Sequence, residues 1–428
     1  MNHLRKEFEV FLSCSRSMRV LMVSNMIYAL VLPVIEIFVA AYVMRNSRAV
    51  GEVVTYQLSI YAATPLAFYL NGKLLDRVGA KHLYAAGMLL SGAAMMLMMQ
   101  LSILTPIGIA TTGFTMGLAT GLFWAGRGYL ALTATNDDNR NYFYGVENFI
   151  ASLAAVAVPA LIGWFISGTT LYGWLGGIPD RAYHIIAAVV FCLTILSAGI
   201  LELGTFRNPP RTRFVFFRFH KLWRRMLELA LLKGLAQGYI VTAPAMLIMS
   251  LVGEEGTLGA TQAIGGVFSA FLMYTVGRMA APRHRILVFS AGLLLFLVGA
   301  VTNTLLFNAV GVLVFIACLV LAKPLLDLAY FPIQLRVVDV VARLENRNEY
   351  AYIFNHEFGL FTGRCLGCGL FLYIDYQWSG TAALKYALPV IALLQLLSIR
   401  VAGQIFRGLD KAEKTSSAMS FAGNIAEA

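Results

Sequence analysis

Charge is scarce in this chain, and so are the local signatures of soluble chemistry. Only 13% of its 428 residues are Asp, Glu, Lys or Arg, whereas 59% are hydrophobic. A soluble globular chain carries about a quarter charged residues, so a water-soluble fold is excluded. No G-x-x-x-x-G-K-[ST] phosphate loop is present, which removes an ATP-driven pump. The cysteines, Cys14, Cys192, Cys318, Cys365 and Cys368, fall in or near apolar blocks and read as free thiols that behave as small apolar groups. The histidines, His3, His82, His184, His220, His284 and His356, are all placed at or near block ends and loops, leaving no mid-helix imidazole for a zinc site or relay. No enzyme active site and no cofactor is expected. Met1 to Arg19 is polar and mixed in charge, unlike a cleaved signal.

What is present in abundance is apolar sequence in blocks long enough to cross ~30 Å of hydrocarbon at ~1.5 Å per helical residue. Twelve such blocks lie near residues 18–44, 50–71, 83–101, 107–134, 142–168, 183–206, 222–252, 257–280, 285–305, 308–336, 350–374 and 383–406. Backbone amides cannot stay unpaired against lipid, so each block is expected to be a helix. The fold class is therefore an all-α membrane protein with twelve transmembrane helices, embedded in the lipid bilayer.

The net charge of +11 follows from where the cations sit. Arg5, Lys6, Arg16, Arg19, Lys73, Arg77, Lys81 and Arg140 precede the middle of the chain on one side, and a basic stretch from Arg207 to Arg225 joins them. Only Arg45, Arg48, Arg181 and Lys385 fall on the other side. The positive-inside rule then places both termini in the cytoplasm. The same distribution faces an anionic leaflet and calls for no nucleic-acid partner.

The chain reads as a duplication. Asn139-Arg140-Asn141-Tyr142 followed by Glu147 recurs as Asn346-Arg347-Asn348-Glu349 followed by Glu357. Two six-helix halves are expected, 1–206 and 222–410, joined by a basic, aromatic linker at 207–221 and followed by a tail at 411–428 expected to be disordered. Between the second and third blocks stands Gly72-Lys73-Leu74-Leu75-Asp76-Arg77-Val78-Gly79-Ala80-Lys81. This stretch resembles the G-x-x-x-D-[RK]-x-G-[RK]-[RK] loop of the major facilitator superfamily, with Ala80 standing where the family usually has a second basic residue. A degenerate copy without the aspartate, Gly277 to Arg285, occupies the matching place in the second half. The resemblance implies two pseudo-symmetric halves and a secondary transporter of a small molecule or ion that works by alternating access. It also implies a gate formed by Gly72, Asp76, Arg77, Gly79 and Lys81, in which Asp76 holds the inward face shut. The fifth block has Pro159 and Gly163 but not the glycine-rich run of drug antiporters in that superfamily.

Charges within apolar blocks are costly unless they face a cavity or a partner. The cations at depth are Arg127, Lys233, Lys323 and Arg364, and the acids are Glu36 and Asp327. In the superfamily, helices one, four, seven and ten line the central cavity, and all but Arg364 fall on them. Arg127, Lys233 and Lys323 then read as an electropositive surface for an anionic solute or metal chelate, and Glu36 and Asp327 as proton-coupling candidates. Lys323 and Asp327 are four apart and share a helix face, so they can pair directly, and Pro324 between them can act as a hinge. The same six charges also suit static ion pairs.

Glycines four apart, Gly113, Gly117 and Gly121, then Gly359, Gly363 and Gly367, form small-residue faces for close helix packing. Cys365 and Cys368 lie on the second face, where packing outweighs metal or redox chemistry. Met95, Met96, Met98 and Met99 spread around their helix in a way that favours packing over copper binding. A narrower likeness, carried by Ser24 to Leu30 and by Phe123-Trp124-Ala125-Gly126-Arg127, is to a superfamily member of the magnetosome membrane. It implies iron supply to a biomineralising compartment and other magnetosome membrane proteins as partners. An organic-anion, drug or lipid carrier, or a non-transporting scaffold, fits the same residues.

Overall fold

The computed structural model describes residues 9–101, 103–135, 137–206, 215–253, 255–279, 285–347 and 349–409, and among them there is no β-strand. Helix α1 (Arg16–Ala29) opens with the Ser15 side chain accepting from the Met18 amide. Beyond Pro33 a π turn, Val34–Phe38, passes the chain to α2 (Val39–Ser47), and these three pieces make the first span. The next helices are α3 (Val50–Val78), α4 (Ala80–Gln100), α5 (Pro106–Ala134), α6 (Asp137–Leu171) and α7 (Pro179–Glu202). The seventh span is α8 (Lys221–Ile240) with α9 (Ala243–Leu251). After it come α10 (Glu255–Met279), α11 (Arg285–Leu306), α12 (Ala309–Glu345), α13 (Glu349–Gln377) and α14 (Gly380–Gln395), which continues through 397–409. Thr105 and Asn308 cap α5 and α12 by accepting from the Gly108 and Gly311 amides, satisfying donors that have no partner within the helix.

Each of the twelve apolar blocks coincides with one of these helices or helix pairs, which makes this an all-α, multi-pass membrane fold. By length and composition, nine of the spans among the described residues are apolar enough to cross a membrane. The other three, α3, α10 and α13, are diluted by polar side chains. In α3 these include Gln57, Thr64 and Asn71, which turn inward and are buried.

The chain divides into two compact units. One comprises Met1–Arg211 with Val241–Val267 and Asp375–Gly380; the other comprises Thr212–Ile240, Phe268–Ile374 and Thr381–Ala428. Relative to halves cut at the linker, the first unit also takes in α9 and the start of α10.

Within the first unit the Gly113, Gly117 and Gly121 face of α5 lies against α3, where a Cβ at Gly117 would collide with the Ile60 carbonyl. Within the second, the Gly359, Gly363 and Gly367 face of α13 lies against α8, and a Cβ at Gly363 would collide with the Leu231 carbonyl. Small residues let backbones approach where lipid supplies no hydrophobic drive between helices. Cys368 is buried on this face and its thiol donates to the Gly238 carbonyl at 2.8 Å. All five cysteines are free, and Met95, Met98 and Met99 are buried packing residues. A core of Trp223, Met226, Phe289, Tyr330, Val337 and Tyr352 closes one end of the second unit.

The stretch from Gly72 to Lys81, expected as a loop, is almost entirely helical. α3 runs through Val78 and α4 begins at Ala80, so Gly79, at φ 84° and ψ 148°, is the whole turn. Leu, Lys and Arg favour helix, and only Gly79 needs a backbone conformation that L side chains avoid. The degenerate copy at Gly277 to Arg285 lies largely outside the described residues. α12 likewise passes through both Pro324 and Pro332 as one helix, so no break marks the expected hinge.

Candidate functional site

Each unit buries a charged cluster within its helices. In the first unit the centre is Glu147, on the third turn of α6 and 8% exposed. Arg127 of α5 pairs with it, donating from Nε to Oε1 at 3.0 Å and bringing Nη2 to 2.9 Å from Oε2, an oxygen that accepts no hydrogen bond among the described residues. Asn25 of α1 adds a third donor, its amide nitrogen 2.9 Å from Oε1. The Tyr84 hydroxyl of α4 donates in turn to the Asn25 carbonyl oxygen at 2.7 Å, fixing the amide's orientation. Phe123 stacks between Tyr84 and Tyr28, with centroids 5.1 and 4.4 Å away, and Trp124 underlies the guanidinium at 5.2 Å.

The second unit is built differently. Lys233 of α8 places Nζ 2.9 Å from Oδ1 of Asp327 on α12, and the same ammonium lies 3.9 and 4.2 Å over the rings of Tyr330 and Phe331. The Tyr330 hydroxyl is 2.6 Å from Nε2 of His356 on α13, and this imidazole is 4% exposed. Its neighbour Glu357, 22% exposed, has Arg364 Nη1 at 3.6 Å and His356 Nδ1 at 4.0 Å, both beyond hydrogen-bond reach. Arg364 gives its well-made bonds, 3.1 and 3.0 Å, to the Gln237 oxygen.

These contacts rearrange the set expected from sequence. Asp327 pairs with Lys233 across helices, not with Lys323, which is exposed and has no ion partner among the described residues. A lysine four residues before an acid is the weaker order for a pair on one helix, so the carboxylate turns to another helix. Arg127 is paired with Glu147, its side chain 27% exposed. Glu36 lies exposed on the π turn of the first span. His356, expected near a helix end, sits two turns inside α13 and is buried. Glu147 and Glu357 were visible in the repeat but not counted among the acids at depth.

Of the expected gate residues, Lys81 pairs with Glu202 at the end of α7, Nζ to Oε2 2.7 Å, and His82 lies 3.7 Å from the same oxygen. Arg77 is exposed and Gly72 lies within α3. The Asp76 side chain is outside the described residues. At the far end of the first unit, Arg45 of α2 pairs with Glu255 of α10, which Tyr183 also contacts at 3.4 Å. Among the described residues no group of three or more His, Cys, Asp or Glu could hold a metal ion.

The model of the Major Facilitator Superfamily matches residues 20–367. The chain belongs to this superfamily. It is thus a multi-pass membrane transporter of the secondary type and not an enzyme. A curated relative, the uncharacterized protein YqgE of Bacillus subtilis (strain 168), is 23% identical over 382 residues, covering 86% of this chain and 84% of its own. Among solved structures, a bacterial homolog of the human lysosomal transporter Spinster, inward-facing and occupied, superposes with a TM-score of 0.66 at 12% identity, covering 92% of this chain and 97% of its own. A bacterial metal transporter gives 0.60 at 14% identity, with 92% and 99% covered. At such identities the likeness is one of fold.

Proposed function

We propose that this superfamily member is a proton-coupled carrier of a small anionic solute, and that the cargo is iron in a chelated, anionic form. The observation that carries the reading is the pair of charge clusters buried in membrane-length helices, because such groups are costly in lipid unless they serve a path or a partner. Lys323 is the cation left for an anionic solute, with Lys233 beside it on the neighbouring helix. Arg127 is reassigned to a structural pair with Glu147. Alternating access uses the Gly72–Lys81 segment as the inner gate, Lys81 meeting Glu202 there and Asp76 keeping its family role. Both termini lie in the cytoplasm, in a bacterial inner membrane or a magnetosome membrane.

Iron rests on the likeness of Ser24 to Leu30 and Phe123 to Arg127 to the magnetosome protein MamH, and other magnetosome membrane proteins would then be partners. A metal transporter among the fold relatives is compatible with this cargo.

Uptake of ferric citrate into proteoliposomes under an imposed pH gradient tests the proposal. Iron entering faster than into protein-free vesicles, and more slowly once the gradient is collapsed, is the expected result. Citrate entering without iron makes the protein an organic-anion carrier, drug or lipid flux without iron makes it a carrier of lipophiles, and no flux of any solute makes it a scaffold.

A further inference from the structure

Outside the pairs expected from sequence, Tyr330 of α12 and His356 of α13 are buried and hydrogen-bonded, and the partly exposed Glu357 follows on α13. We infer that Glu357 is the group that takes up and releases the coupling proton, and that His356 is its positioning residue. This rests on the proton-coupled reading above and names the site of the coupling.

Three features favour Glu357 over the other acids of the unit and its neighbour. Asp327 has an ammonium at 2.9 Å, and Glu147 accepts from Asn25 and Arg127 at Oε1 with a second guanidinium nitrogen 2.9 Å from Oε2. Glu357 has a guanidinium only at 3.6 Å and an imidazole nitrogen at 4.0 Å. The Glu357 side chain is 22% exposed, against 8% for Glu147. A carboxylate within a membrane helix that lacks close donors changes its protonation at least cost.

His356 supplies what a titrating acid needs on its other side. His356 meets the Tyr330 hydroxyl through Nε2 at 2.6 Å and turns Nδ1 toward Glu357 at 4.0 Å. The step balances simply: a proton from water binds a Glu357 oxygen to give the neutral acid, and on release the same O–H bond breaks and the proton returns to water. The charged and titratable groups facing the pair are Lys233 from α8, Asp327 and Tyr330 from α12, and Arg364 on α13 itself. Losing the negative charge of Glu357 removes its attraction for Arg364, which also bonds Gln237 of α8, and this ties the proton to the α8–α13 contact.

Infrared difference spectra of the purified full chain in nanodiscs, taken across a pH titration, read the C=O stretch of any carboxylic acid that deprotonates. The expected wild-type band disappears in E357Q, and its midpoint pH moves in H356Q. A band that survives in E357Q overturns the inference, and so does a wild type without one. If E357Q does not insert, the H356Q titration decides, and an unmoved midpoint counts against it. A transport arm separates this from the wider reading: E357Q should lose pH-driven ferric citrate uptake while keeping ferric citrate counterflow. A wild type that moves no ferric citrate counts against the proposed cargo, while the infrared arm still decides on Glu357.

Discussion

The fifth and eleventh spans each carry a carboxylate after an Asn-Arg-Asn stretch, 6 residues on in one and 9 in the other, and the two units surround them in opposite ways. Glu147 and Glu357 each follow an Asn-Arg-Asn repeat and each meets an arginine. In the first unit the arginine comes from a neighbouring helix, and Asn25 and Tyr84 extend its grip into a closed network over α1, α4, α5 and α6. In the second unit the arginine lies on the same helix as its acid and spends its better bonds on Gln237. Each unit sets an acid near an arginine, and the donors placed around each one fix whether its acid is a rivet or a moving part.

The largest expected effect comes from breaking the rivet. R127A leaves Glu147 buried and unpaired, a cost of about 3–5 kcal/mol, visible as a collapse in the yield of folded protein and in its thermal midpoint in detergent. R364A removes bonds to a neutral amide and a distant pair, costing about 1.5–3 kcal/mol by the same measurement; equal damage from both variants would break the comparison. G363A forces a methyl against the Leu231 carbonyl and should cost about 1–3 kcal/mol through the α8–α13 contact. Thermal unfolding checks it, and an unchanged midpoint would mean that the two helices are not held this closely. The smallest effect is expected at the gate. Lys81 meets Glu202, whose side chain is 46% exposed, so K81A should change stability by about 0–1 kcal/mol while altering cysteine accessibility at that end during turnover.

The helices were legible because lipid leaves the backbone no alternative, and the blocks between residues 18 and 406 match them closely. The small-residue faces were legible too, since Gly117 and Gly363 announce close approach by spacing alone. Cavity cations could be read as isolated charges in apolar sequence, but their partners could not. Glu147 stands near the start of its apolar block, whereas α6 begins at Asp137 and carries the acid to its third turn. Pairing across helices is likewise invisible in one dimension, so Asp327 was matched with Lys323 on its own helix when Lys233 lay nearer in space. His356 is hidden for the same reason as Glu147, since its apolar block starts at 350 and only the structure carries it two turns inside α13.

The central claim is that the two carboxylates differ in kind, and a side-by-side transport assay tests it most directly. A buried ion pair that only holds helices together can be replaced by apolar residues of similar size at little cost. In proteoliposomes driven by a pH gradient, R127M/E147M should insert, fold and retain pH-driven ferric citrate uptake, whereas E357Q inserts and loses it. A folded R127M/E147M without pH-driven uptake, alongside an E357Q that keeps it, would contradict the assignment.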